Sequence, residues 1–279
     1  MRALVSTSEL ADLRTGARPP VLLDIRWALG GPPGRESYMA GHLPGAVFLD
    51  LDKELAAEPG PGGRHPLPEP EDLQRVLRAA GVSDDSAVVV YDGGNGSVAA
   101  RAWWLLRWSG HKTVAVLDGG YAAWEQEGRA VTTDVPQPQP GDITVRPGAM
   151  PTVDADGAAE LARDGVLLDA RAPERYRGET EPIDPRPGHI PGAVNAPFTG
   201  HISPEGRWRT AAELADRFND LGVRAGKPVG AYCGSGVTAS SVVLALEAAG
   251  ITDPGSPAAL YPGSWSQWSS DPQRPAATG

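Results

Sequence analysis

The sequence predicts an α/β protein made of two tandem copies of one domain, each a mostly parallel sheet flanked by helices. The first observation is internal repetition. VLLDIR at 21–26 returns as VLLDAR at 166–171, GHLPGAV at 41–47 as GHIPGAV at 188–194, and DGGYAAW at 118–124 as PGSWSQW at 262–268. The paired segments lie roughly 145 residues apart, so one domain has been duplicated with short loop insertions. The second observation is that short apolar runs alternate with helical stretches, the pattern of a parallel sheet with helical crossovers. The third is a junction at Val229–Ser240, where an apolar run ends in Cys233-Gly234-Ser235-Gly236 and a helix-forming stretch follows.

The elements follow in chain order. Ser6 and Glu9 form a capping-box pattern that opens a helix ending near Gly16. Val21 to Ile25, Ala87 to Tyr91 and Val114 to Leu117 read as short buried strands, with a helix over 72–80 among them. Leu73–Gly81 and Tyr91 match Leu214–Gly222 and Tyr232, so the second half repeats the scheme. Thr238 is placed to cap a helix over 239–249. Five prolines between Thr132 and Pro151 suggest an extended connection. The division expected is therefore 1–138, a linker at 139–149, and 150–279, with a frayed tail from Asp271. Trp103, Trp104, Trp124, Trp265 and Trp268 read as packing residues.

At 279 residues, 41% hydrophobic and 22% charged, the chain can bury two cores and is neither disordered nor fibrous. A formal net charge of −10 argues against nucleic acid or an anionic membrane as partner, so any anionic substrate must meet a local cationic pocket. No stretch approaches the length of a membrane span, and the first residues hold no apolar core of signal-peptide length. The single cysteine makes no internal disulfide, which fits a reducing cytoplasm. His42, His65, His111, His189 and His201 never pair at ligand spacing, so no metal site is expected.

The chemistry centres on Cys233. A thiol between the end of a strand and the start of a helix faces unpaired backbone N–H groups and the positive end of a helix dipole, which favour the nucleophilic thiolate. The flanking glycines let amides converge on one anionic point. When Tyr91 is aligned with Tyr232, Asp92 falls at the position of Cys233, so the first half has a similar loop without the nucleophile. The residue six after Cys233 is Ala239, which excludes a Cys-x5-Arg phosphatase loop.

Tandem halves that each carry GH[IL]PGAV, an acidic residue replacing Cys in the first, and YCGSGVTAS in the second resemble the two-domain rhodanese family over nearly the whole chain. CGSGVT is similar to the 3-mercaptopyruvate sulfurtransferase subgroup, whereas thiosulfate-using members place cationic residues after the Cys. Gly234 and Ser235 bring no charge for a thiosulfate dianion, which favours a monoanionic carboxylate. The resemblance implies a catalytic set of Cys233, Ser235, His65 and Asp52, the last three forming a proton relay. It also implies substrate contacts from Arg175 and Arg186, and a sulfur cradle of Gly234, Gly236, Val237 and Thr238. Arg171, matched by Arg26 in the first half, reads as structural, and so do the repeated His42 and His189. No cofactor is implied. The expected partners are a small-molecule sulfur donor and a thiol acceptor such as a thioredoxin-like protein, for a monomer or weak dimer. Two alternatives stay open: thiosulfate:cyanide sulfur transfer, and a persulfide carrier with little turnover.

Overall fold

The computed structural model of the chain describes residues 2–224 and 226–279. The chain forms two compact units, each joined by a short segment that its position in the chain would assign to the other. The first holds 2–57, Pro68–Ala149 and Pro204–Trp208; the second holds Glu58–Leu67, Met150–Ser203 and Arg209–Gly279.

In the first unit, β1 (Leu4–Val5), β2 (Val21–Asp24), β3 (Val47–Phe48), β4 (Val88–Tyr91) and β5 (Val114–Leu117) form a five-stranded sheet in the order β1-β5-β4-β2-β3. Every pairing is parallel. In the second, β6 (Val166–Asp169), β7 (Val194–Asn195), β8 (Val229–Tyr232) and β9 (Ala259–Leu260) form a parallel sheet in the order β7-β6-β8-β9. Thr152 makes a parallel bridge to Leu260, matching the place of β1 beside β5. The α/β reading of two tandem, helix-flanked parallel sheets therefore holds. Strands β4, β6 and β8 are buried at every position, which is why their sequences are continuous apolar runs rather than alternating ones.

The repeated motifs have one structural explanation. Arg26 grips Asp24 through Nε (3.0 Å) and Nη2 (2.7 Å), and Nη2 also donates to the Gly41 carbonyl at 2.7 Å. Arg171 does the same to Asp169 (3.1 Å from Nε, 2.7 Å from Nη2) and to the Gly188 carbonyl at 2.7 Å. Each pair is buried, and a buried ion pair is tolerated where a bidentate fork and a further acceptor satisfy its donors. Each GH[IL]PGAV segment thus begins on the carbonyl that caps this pair. His42 and His189 stack on Tyr38 and Tyr176 at 3.8 and 3.7 Å, with Nδ1 of each 2.8 Å from that tyrosine's carbonyl. These histidines are packing residues.

Several local expectations are corrected. The segment 139–149, expected as a linker, packs as part of the first unit: Gly141, Ile143, Arg146 and Ala149 donate backbone N–H bonds to Arg78, Val82, Ser109 and Trp108, and Ile143 is buried. The tail is not frayed, since Ala277 and His189 exchange both backbone hydrogen bonds and Trp268 Nε1 donates to the Pro275 carbonyl. Thr238 occupies the cap position of helix Ala239–Ala248 but makes no side-chain cap bond. The Ser6–Glu9 capping box is present, and all five tryptophans singled out above are buried.

Ser264 is the only non-glycine among the described residues with a positive φ, 53°. Its counterpart in the first half is Gly120, at φ 55°, where a Cβ would lie 2.5 Å from the Asp92 carbonyl. Ser264 holds this costly conformation while its Oγ accepts the Cys233 N–H at 3.1 Å and donates to the Tyr261 carbonyl at 2.9 Å. Ser264→Ala keeps the strained Cβ and removes the acceptor of a buried N–H, which costs about 1–3 kcal/mol. Ser264→Gly loses the same acceptor but relieves a left-handed strain of about 1–2 kcal/mol. The Gly variant is therefore expected to melt above the Ala variant; the reverse order in calorimetry would refute strain at this position.

His201, fully buried, has its pKa lowered from 6.5 to about 3, first by burial and then by the charge of Arg217. The unfolded chain binds the extra proton between these values, so stability present above pH 6.5 is lost as pH falls below it, at up to about 1.4 kcal/mol per pH unit. Urea unfolding at pH 7, 6 and 5 is expected to show a shallower loss in His201→Asn than in the parent. Equal slopes would remove His201 as a source of acid sensitivity.

Candidate active site

Strand β8 ends at Tyr232 and delivers Cys233, 2% exposed, to the carboxyl edge of the second sheet. Sγ accepts the Gly236 N–H at 3.1 Å. Gly236 has φ 79°, and a Cβ there would stand 2.6 Å from the Pro262 carbonyl, so the turn that aims this amide at sulfur requires glycine. The loop is braced from below. Trp265 N–H donates to the Cys233 carbonyl at 3.0 Å, and Ser266 N–H donates to the Gly234 carbonyl at 2.9 Å. Val237 is buried in the turn, and its carbonyl accepts from Ser240.

The first unit has a comparable loop around Asp92. Its Oδ1 accepts from the Gly94 and Gly96 amides, both at 2.9 Å, and its Oδ2 from Val98 at 3.0 Å and Ala99 at 3.1 Å. A carboxylate held by four main-chain donors there demonstrates that such a strand–loop–helix junction gathers amides on an anion.

His65 belongs to the segment Glu58–Leu67 of the second unit, and its Nδ1 lies 2.7 Å from Ser235 Oγ. Both residues are buried. The segment is anchored by Arg64 N–H to Ser266 Oγ at 3.0 Å and by Gln267 Nε2 to the Pro61 carbonyl at 3.1 Å. Asp52 belongs to the first unit, where its carboxylate accepts the Trp27 indole N–H at 2.8 Å.

The two expected substrate arginines part ways. Arg175 stands over the loop: a Cβ built on Gly234 would lie 3.6 and 3.8 Å from its Nη1 and Nη2. Its Nε and Nη2 grip Glu181 at 3.2 and 2.6 Å, and Nη2 also reaches Asp184 at 3.1 Å. Arg186, expected to clamp a carboxylate, instead donates to four backbone carbonyls. These are Ser269 (2.8 Å), Arg274 (2.9 Å), Trp268 (3.1 Å) and Asp271 (2.6 Å). A guanidinium has five N–H donors, so Arg186 is largely committed to closing helix Ser264–Trp268 and pinning the tail. One N–H, on Nη1, is left over for a substrate.

Sequence reasoning missed three neighbours. Arg64 Nη2 lies nearest of all to the place of a Gly234 Cβ, at 3.1 Å, and its Nη1 donates to Asp184 at 2.6 Å. Asp184 and Glu181 are the buried carboxylates that carry Arg64 and Arg175. The adjacency of Arg64 to His65 was the available signal. Among the described residues no group of three or more His, Cys, Asp or Glu is placed to hold a metal, and no helix is long and apolar enough to cross a membrane.

The rhodanese-like domain model matches residues 6–127 and 154–271. A Pseudomonas aeruginosa protein named probable 3-mercaptopyruvate sulfurtransferase is 48% identical over 286 residues, covering 99% of each chain. The thiosulfate sulfurtransferase of Cricetulus griseus is 37% identical over 278 residues, covering 96% of this chain and 92% of its own. The crystal structure of SseA from Escherichia coli, described as a 3-mercaptopyruvate sulfotransferase of rhodanese fold, superposes with a TM-score of 0.83 at 33% identity, covering 95% of this chain and 100% of that one. With both halves matched and a thiol set in the second loop, the chain belongs to the rhodanese family and is a two-domain sulfurtransferase.

Proposed function

We propose that this chain takes a sulfane sulfur from 3-mercaptopyruvate onto Cys233 as a persulfide and passes it to a thiol or to cyanide. The observation that carries the reading is the charge around Gly234. The loop brings no cation of its own, and the two arginines that face it, Arg64 and Arg175, are already paired with Asp184 and Glu181. A modest positive field of this kind suits a monoanion, whereas a dianion beside a thiolate calls for a surplus of positive charge. The names of the Pseudomonas aeruginosa and Escherichia coli relatives point the same way.

The Cys233 thiolate attacks the sulfur of 3-mercaptopyruvate, an S–S bond forms, and the C–S electron pair passes to the methylene carbon as the pyruvate enolate. The thiol proton of the donor is carried to that carbon through His65 and Ser235, giving pyruvate and a Cys233 persulfide anion. Histidine suits this transfer because its ring gains and loses a proton near neutral pH. Arg175 stabilises the charge that develops on the enolate oxygen. A persulfide's terminal sulfur lies as many bonds from Cα as a carboxylate oxygen of aspartate. The four amides on Asp92 therefore support a similar role for the Gly234, Gly236, Val237 and Thr238 segment. The chain has one cysteine, so the acceptor is external, a thioredoxin-like protein or a small thiol in the cytoplasm.

Steady-state kcat/KM for 3-mercaptopyruvate is expected to exceed that for thiosulfate by about tenfold or more on one preparation. A reversed ratio replaces the donor with thiosulfate, and one equivalent of pyruvate without further turnover marks a carrier. Cys233→Ser is expected to abolish both reactions and the gain of one sulfur atom seen by mass spectrometry.

A further inference from the structure

We infer that Glu181 is a specificity-determining residue, whose buried charge offsets the cations over the Cys233 loop so that a monoanionic donor is accepted and a dianion such as thiosulfate is disfavoured. This role rests on the 2-oxo acid proposed above as the donor, and it names the charge behind that preference.

The Glu181 carboxylate is held from five sides. Oε1 accepts Arg175 Nη2 at 2.6 Å and the backbone N–H groups of Ile183 and Asp184 at 3.2 and 3.1 Å. Oε2 accepts Arg175 Nε at 3.2 Å and Arg171 Nη1 at 3.3 Å. The side chain is only 3% exposed, so its charge acts on its neighbours with little screening by water. Glu181 takes the Nε–Nη2 edge of Arg175, the planar fork that matches a carboxylate. Nη1 is then the end of Arg175 turned to the sulfur loop, 3.6 Å from the place of a Gly234 Cβ.

The charges around it form one connected set. Arg64, Arg171 and Arg175 meet the buried carboxylates of Asp169, Glu181 and Asp184, and the formal charges cancel. Asp169 matches Arg171 at 2.7 Å and Asp184 matches Arg64 at 2.6 Å, which leaves Glu181 as the counter-charge of Arg175. Arg186, on the same segment, bonds to carbonyls rather than carboxylates, so one positive charge stays in excess. A single excess charge matches a single carboxylate. It leaves nothing for a second negative charge beside a thiolate. Coulomb energy scales with the ligand's charge, so removing the Glu181 charge strengthens the attraction for a dianion twice as much as for a monoanion.

The test is kcat/KM for 3-mercaptopyruvate and for thiosulfate on the whole chain, with cyanide as acceptor for both. The ratio is the readout, because a smaller fraction of folded, active protein lowers both values alike and cancels. Glu181→Gln keeps the size and removes the charge, and is expected to move the ratio toward thiosulfate by about tenfold or more. Glu181→Asp keeps the charge at a shorter reach, and is expected to lower both values while the ratio stays within about threefold of the parent. Asp184→Asn removes a charge from the same set and is expected to move the ratio in the direction of Glu181→Gln, which keeps the test available should Glu181→Gln fail to fold. A parent that prefers 3-mercaptopyruvate, with the ratio unmoved in the charge-removing variants, overturns the role of Glu181. A shift in Glu181→Asp as large as that in Glu181→Gln also overturns it, since shape rather than charge would then be at work. A parent that prefers thiosulfate overturns the donor reading and this role with it, and is told apart because it shows in the unmodified chain.

Discussion

A parallel strand that ends in a glycine-bearing turn and restarts as a helix brings successive backbone N–H groups to bear on one point, and a protein that does this inside its own surface must put an acceptor there, for which an anion is well suited. This chain does it in both halves. Around Asp92 the point is filled by a carboxylate with four main-chain donors. Around Cys233 it is met by sulfur, with the Gly236 amide 3.1 Å away. The sheets, the crossover helices and the bracing bonds from 264–266 all maintain that turn. Its cost is visible at Ser264, which holds a left-handed backbone where the first half has glycine.

A second constraint is charge. The chain carries a formal net charge of −10, yet its site gathers arginines. They are tolerated inside because each is matched: Arg171 by Asp169, Arg175 by Glu181, and Arg64 by Asp184. Burial of an ion pair is tolerable only when its donors are nearly all satisfied. The same accounting separates Arg186 from Arg175. One closes a helix end through four carbonyls, and the other overlooks the sulfur loop.

Much of the fold was legible because duplication amplified weak signals. A single VLLD run is ambiguous between a strand and a buried helix segment, but two runs with the same flanking arginine and the same GH[IL]PGAV segment identify one packing unit. The Ser6–Glu9 cap was readable because its bonds are local. The ordered tail was not, because it is held by His189 and Arg186, far away in sequence. Thr238 misled for a related reason: it has the residue type of a cap, but the turn leaves its backbone helical and its side chain makes no cap bond.

From sequence alone came the duplication, the α/β class, the position of the one cysteine and the glycines around it, since these depend on residue type and near spacing. Only the tertiary structure decided which arginines stand over that cysteine. It turned Arg186 toward main-chain carbonyls and carried Arg64 and His65 into the second unit on Glu58–Leu67. A guanidinium reaches several ångströms from its backbone and bonds to whichever acceptors the packed chain presents, so its place in the sequence does not determine its partner.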